Sequence, residues 1–84
     1  MYKNRAEDGR NNICGARIRA LRQTLPGKVS QRQLADMLQI EGLDVDKNAV
    51  QRIENGQRFV TDIELKAIAR VLHVRYEELL DDQA

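Results

Sequence analysis

Start and stop signals for helices recur along this chain at intervals that suit only a fold built from short helices. Ser30 is followed three residues later by Gln33, and Thr61 by Glu64. In each pair the hydroxyl can satisfy an orphan amide of the first turn while the Gln or Glu side chain reaches back to the cap. Asp46 offers a similar acceptor ahead of a further segment. Pro26-Gly27, Gly42 and Gly56 close segments, because proline cannot continue a helix and glycine accepts the left-handed turn that ends one. Between these marks, apolar residues recur at helical steps: Cys14, Ile18, Leu21 and Leu25; then Leu34, Ala35 and Leu38; then Ala49, Val50 and Ile53; then Leu65, Ile68, Ala69 and Leu72. The spacing predicts helices near 13–25, from Ser30 to about Gly42, over 46–55, from Thr61 to about His73, and a short one around 75–81 that groups Tyr76, Leu79 and Leu80. Arg75 is a poor cap for that last helix. No stretch alternates as a strand does, and the β-branched residues are scattered. The expected fold is all-α, a compact five-helix bundle.

A chain of 84 residues with 42% hydrophobic content supports one core and one domain. Residues 1–12, MYKNRAEDGRNN, hold almost nothing to bury and read as a flexible N-terminal arm; residues 13–81 form the domain and 82–84 a C-terminal tail. A single cysteine, Cys14, reads as a small core residue, and no secretory leader opens the chain, which together point to the cytoplasm. The apolar runs are far shorter than the roughly 20 residues a membrane-spanning helix needs. The net charge of +1 conceals an asymmetry: residues 1–33 carry eight Lys and Arg against two acids, and residues 34–84 carry six against eleven. Such a split suits a basic face toward a polyanion, with ordinary solvated surface as the equal alternative.

The stretch AVQRIENGQR, residues 49–58, sets Glu54 on the inward side of its helix. A lone carboxylate there costs several kcal/mol, so Glu54 requires a basic partner or belongs to a site. The opposite side of the same helix, Lys47, Asn48, Gln51, Arg52 and Asn55, contains no acid. His73 has no second His or Cys at ligand spacing, and no phosphate-binding, nucleophile-elbow or zinc-protease motif occurs. No enzyme, metal or cofactor is expected.

The ordered set Ile18-Arg19, Leu21-Arg22, Ser30-Gln31, Leu34-Ala35, Ile53-Glu54-Asn55-Gly56, Leu65 and Ile68-Ala69 resembles the helix-turn-helix domain of phage repressors and Cro proteins, the XRE family, over about residues 13–80. S-Q-x-x-L-A alone is common, but the set with I-E-N-G is specific. The resemblance implies a structural ion pair of Arg22 with Glu54. It implies a DNA-binding transcriptional regulator, a repressor, whose recognition helix at about 46–55 lies in the major groove. Lys47, Asn48 and Arg52 become the base-reading residues, with Gln51 also facing DNA. Gln31 at a helix start is the implied phosphate ligand, joined by Asn55, Gln57, Arg58, Lys28 and Arg32. Arg17 and Arg19 read more readily as plain surface. Double-stranded DNA is the expected partner, with a homodimer formed through the last helix. A different class of function, a protein-interaction module such as an antitoxin or adaptor with secondary DNA binding, draws on the acidic end Glu77, Glu78, Asp81 and Asp82. One departure stands out: Leu34-Ala35 lies about five residues farther from Glu54 than the family's pattern places it, so an insertion around Gln39–Leu43 lengthens the turn between the two motif helices.

Overall fold

The computed structural model describes residues 5, 6 and 8–81. Among these residues the chain forms five helices and no strand: α1 Gly15–Thr24, α2 Gln31–Ile40, α3 Lys47–Glu54, α4 Asp62–Leu72 and α5 Tyr76–Leu80. Their starts follow from the caps. Ser30 Oγ accepts the Gln33 amide at 3.1 Å while Gln33 Oε1 accepts the Ser30 amide at 2.7 Å. Thr61 and Glu64 repeat the arrangement at 3.2 and 2.9 Å, and Asp46 Oδ1 accepts the Ala49 amide at 2.8 Å. Arg75 gives α5 no side-chain cap, but Glu78 Oε2 accepts the Arg75 amide at 2.7 Å, so half the device remains.

The ends are equally local in origin. Gly42 at φ 95° ends α2, with the Leu43 amide donating to the Leu38 carbonyl at 3.1 Å. Gly56 at φ 79° ends α3 in the same way, with the Gln57 amide on the Arg52 carbonyl at 2.9 Å. Each pairing satisfies carbonyls that the helix leaves open. His73 does this work for α4 without being glycine, at φ 58°.

Ile18, Leu34, Leu38, Val50, Ile68 and Leu79 are the large side chains sealed at the centre. They come from all five helices, which is how so short a chain closes one core. α3 packs against α1 and α2, α4 against α2, and α5 against α1 and α4. The lengthened connection occupies residues 41–46. It is held by its own apolar contacts: Val45 is buried, Leu43 packs on the core, and Gln39 Nε2 donates to the Val45 carbonyl at 2.8 Å.

One expectation is revised. Tyr76, Leu79 and Leu80 do not act together: Leu79 turns into the core, whereas Tyr76 and Leu80, one turn apart, face outward. The expected arm, residues 1–12, ends in two residues that contact the domain. The Asn11 side-chain amide donates to the Gln57 carbonyl, and that of Asn12 to the Ile53 and Arg58 carbonyls, at the end of α3 and just beyond it. Residues 1–4 and 7 of the arm, and the tail 82–84, lie outside the described residues. No described helix is long and apolar enough to cross a membrane.

Candidate nucleic-acid interface

Glu54 ends α3 with its side chain wholly out of solvent, at 0% exposure. The Arg22 guanidinium grips it with two parallel bonds, Nε to Oε2 at 2.8 Å and Nη2 to Oε1 at 3.1 Å. Gln31 Nε2 adds a third donor to Oε1 at 3.0 Å, and Arg22 Nη1 goes on to the Val29 carbonyl at 2.9 Å. One carboxylate therefore ties together α1, the first residue of α2, the end of α3 and the turn before α2. Bidentate charge-assisted bonds are the strong kind, and they make a buried acid tolerable. Gln31 consequently differs from the sequence expectation. Its side chain is drawn to Glu54 rather than left free for a phosphate.

This brace leaves the other side of α3 open. Lys47, Asn48, Gln51, Arg52 and Asn55 are all exposed, and Ala49, Val50 and Ile53 beneath them are buried. The split follows from the helical period, which sends the two sets to opposite sides. Lys28 and Arg32, before and within the first turn of α2, are exposed as well, and Lys28 adopts a left-handed φ of 55°. Gln57 is exposed just beyond Gly56. Arg58 is not free: its Nη1 meets Glu64 Oε2 at 2.9 Å, and both side chains are partly buried. Burial would raise the Glu64 carboxyl, but the Thr61 amide and the Arg58 guanidinium outweigh it and hold the group below its ordinary 4.5. Arg58 thus shares its charge with Glu64.

Some contacts had no usable signal in the sequence. Arg17 Nη1 donates to the Glu78 carbonyl at 2.6 Å, fixing α1 to α5, so it belongs to the scaffold rather than to plain surface. Asn12 links the start of α1 to the end of α3 through every polar atom of its side chain. An Asn-Asn pair two residues after Gly9 reads as a loop, and nothing in the sequence says which distant carbonyls it meets. No group of three or more potential metal-binding side chains occurs among the described residues.

The family model described as helix-turn-helix matches residues 18–79, most of the chain. The chain belongs to the helix-turn-helix family. Among solved structures, this helix-turn-helix protein is similar to the restriction-modification controller protein C.AhdI from Aeromonas hydrophila, at 31% identity and a TM-score of 0.62, with 79% of this chain and 86% of that one covered. No curated protein matches it. The helix-turn-helix protein is a DNA-binding transcription regulator of the XRE type.

Proposed function

We propose that α3 enters the major groove of duplex DNA and that Lys47, Asn48 and Arg52 read base edges, with Gln51 beside them. Arg and Lys donate to guanine O6 and N7, and Asn pairs with adenine N6 and N7. The observation that carries this reading is the exposed, acid-free side of α3, held rigidly by the Arg22–Glu54–Gln31 brace on its reverse. A solvated helix face usually mixes charges, whereas this one offers a polyanion cations and neutral amides and no acid. Lys28, Arg32, Asn55 and Gln57 flank it as phosphate ligands. Arg58 joins them with its charge shared with Glu64, and Gln31 contributes mainly through the start of α2. The acidic end favours an adaptor role less, since Glu78 is turned back onto the Arg75 amide and Glu77 lies 3.6 Å from the Arg75 guanidinium.

The protein acts in this reading as a repressor and binds as a homodimer, two α3 helices meeting a two-fold site about 34 Å apart. Ile63, Tyr76 and Leu80 supply the exposed apolar face for pairing. The likeness to a restriction-modification controller makes the control region of such a system the first natural target to test. Selection of bound sequences from a random duplex pool tests the whole reading. A reproducible pseudo-palindrome is expected. Replacement of Lys47, Asn48 or Arg52 by alanine should then relax preference at one or two positions and cost about 1–3 kcal/mol on the selected site, with less change on random DNA. Equal weakening on both duplexes would mean that the lengthened turn has carried α3 out of the groove.

A further inference from the structure

The end of α3 is held from the far side of the sequence. Asn12 Oδ1 accepts the Gly15 amide at 2.8 Å, capping α1, while its Nδ2 donates to the Ile53 carbonyl at 3.0 Å and the Arg58 carbonyl at 2.8 Å. Asn11 adds its main-chain amide on the Gly56 carbonyl at 2.7 Å and its side-chain Nδ2 on the Gln57 carbonyl at 2.8 Å. Two glycines admit this clip. A Cβ on Gly15 would collide with the Ile53 carbonyl oxygen, and a Cβ on Gly56 would lie 2.7 Å from the Arg10 side-chain carbons. The amides of Gly56, Gln57 and Arg58 turn inward to Ile53 and Arg52, so their carbonyls are open to the clip on the other side.

We infer that Asn12, assisted by Asn11, is a positioning residue for DNA recognition: it fixes the backbone of residues 56–58, and with it the direction in which Asn55, Gln57 and Arg58 face the DNA backbone. The inference rests on the DNA reading above and extends it to a segment outside the matched helix-turn-helix region, which begins at residue 18. Phosphate contacts set register without reading sequence, so a loosened loop weakens every duplex alike. The phosphate contacts still form once DNA orders the loosened loop, so the counterions released are the same and only the cost of ordering is added.

Asn12→Ser separates the two jobs of the residue. Serine still accepts the amide that caps α1, but it cannot bridge to the Ile53 and Arg58 carbonyls. Binding is measured under conditions where circular dichroism shows wild type and variant fully folded, on selected and random duplexes at several salt concentrations. The expected result is an affinity loss of about tenfold on both duplexes with an unchanged salt slope. Amide exchange at Gly56, Gln57 and Arg58 should accelerate by about tenfold while amides within α2 stay as slow as before. A folded Ser variant that binds both duplexes like the wild type overturns the positioning role, even if its melting temperature drops. Asn12→Ala adds the loss of the cap, so it should melt lower than the Ser variant yet bind no worse when folded; weaker binding than Ser would assign the effect to α1 and overturn the clip. Wild-type protein that binds neither duplex overturns the DNA reading and the positioning role together. That failure is told apart from failure of the clip alone, which leaves wild-type affinity in place.

Discussion

The Arg22 guanidinium closes on both oxygens of Glu54 and on the Val29 carbonyl. Arg22→Ala therefore leaves a fully buried carboxylate with Gln31 as its only side-chain donor among the described residues, and removal of one partner from a buried pair costs about 3 kcal/mol. That is a large part of what so small a domain has. Urea melts are expected to show the loss for Arg22→Ala and Glu54→Ala alike, and midpoints matching wild type would refute the brace. Arg22→Lys should rescue little, because an ammonium cannot form the parallel two-bond grip or reach Val29 at the same time. Cys14 gives a second test at this scale. Burial pushes its thiol above the ordinary 9.0, outweighing its hydrogen bond to the main chain, so a thiol reagent at neutral pH should label it only when the protein unfolds. The need for a partner at Glu54 was legible in the sequence, because an acid at an inward position of an apolar helix demands one. The capture of Gln31 was not. A glutamine at a helix start suits a phosphate and a carboxylate equally well, and only the approach of α2 to the end of α3 decides between them.

The helices were legible because their boundaries are written in local chemistry: a hydroxyl three residues before a Gln or Glu, or a glycine where the chain must turn left-handed. α5 was read less well. Five residues make barely more than one turn, so periodicity could not separate the inward Leu79 from the outward Tyr76 and Leu80. His73 is the weak joint among the ends, a side chain at φ 58° where glycine would carry no steric cost. His73→Gly is expected to raise stability by about 0.5–1 kcal/mol in thermal or urea melts, and a loss would mean that the imidazole contributes contacts outweighing the strain. The capping box of α4 carries a pH dependence. The folded Glu64 carboxyl lies below its unfolded value, so its stabilisation is complete above the ordinary 4.5 and is lost as pH falls through the lowered value. Glu64→Gln keeps the cap, as Gln33 shows in α2, but surrenders the ion pair with Arg58. Its melting temperature should trail that of wild type at neutral pH and converge with it in acid. A gap that persists unchanged to about pH 3 would assign the difference to packing instead of charge.

Across the whole molecule, charge and apolar surface are divided between two jobs. The basic excess of residues 1–33 and the acid-free side of α3 suit DNA, while Ile63 at 72% exposure, Tyr76 at 50% and Leu80 at 38% lie on α4 and α5. Ile63, Tyr76 and Leu80 line one groove with Leu65, rimmed by Asp62 and Lys66, an apolar centre with charge of both signs at its edge. The charge division could be counted from the sequence. The apolar face could not, because Ile63 occupies the first turn of α4 and joins Tyr76 and Leu80 only when α5 folds back on α4. Large apolar side chains gathered on one exposed face usually mark an interface, and one copy of α3 spans only half of a two-fold site. The same face serving a second copy would set both recognition helices at one DNA turn, about 34 Å. Ile63→Glu tests this without disturbing the core, since the side chain is already exposed. The variant should keep the wild-type melting profile at low concentration, sediment as a monomer at concentrations where wild type is expected to dimerise, and lose far more affinity for the selected palindrome than for an isolated half-site. The expected asymmetry arises because a dimer binds its second half-site at the effective concentration set by the first, an advantage a monomer lacks. Wild-type protein that sediments as a monomer both free at high concentration and on its selected site would end the proposal, and the three side chains would then be exposed for another reason.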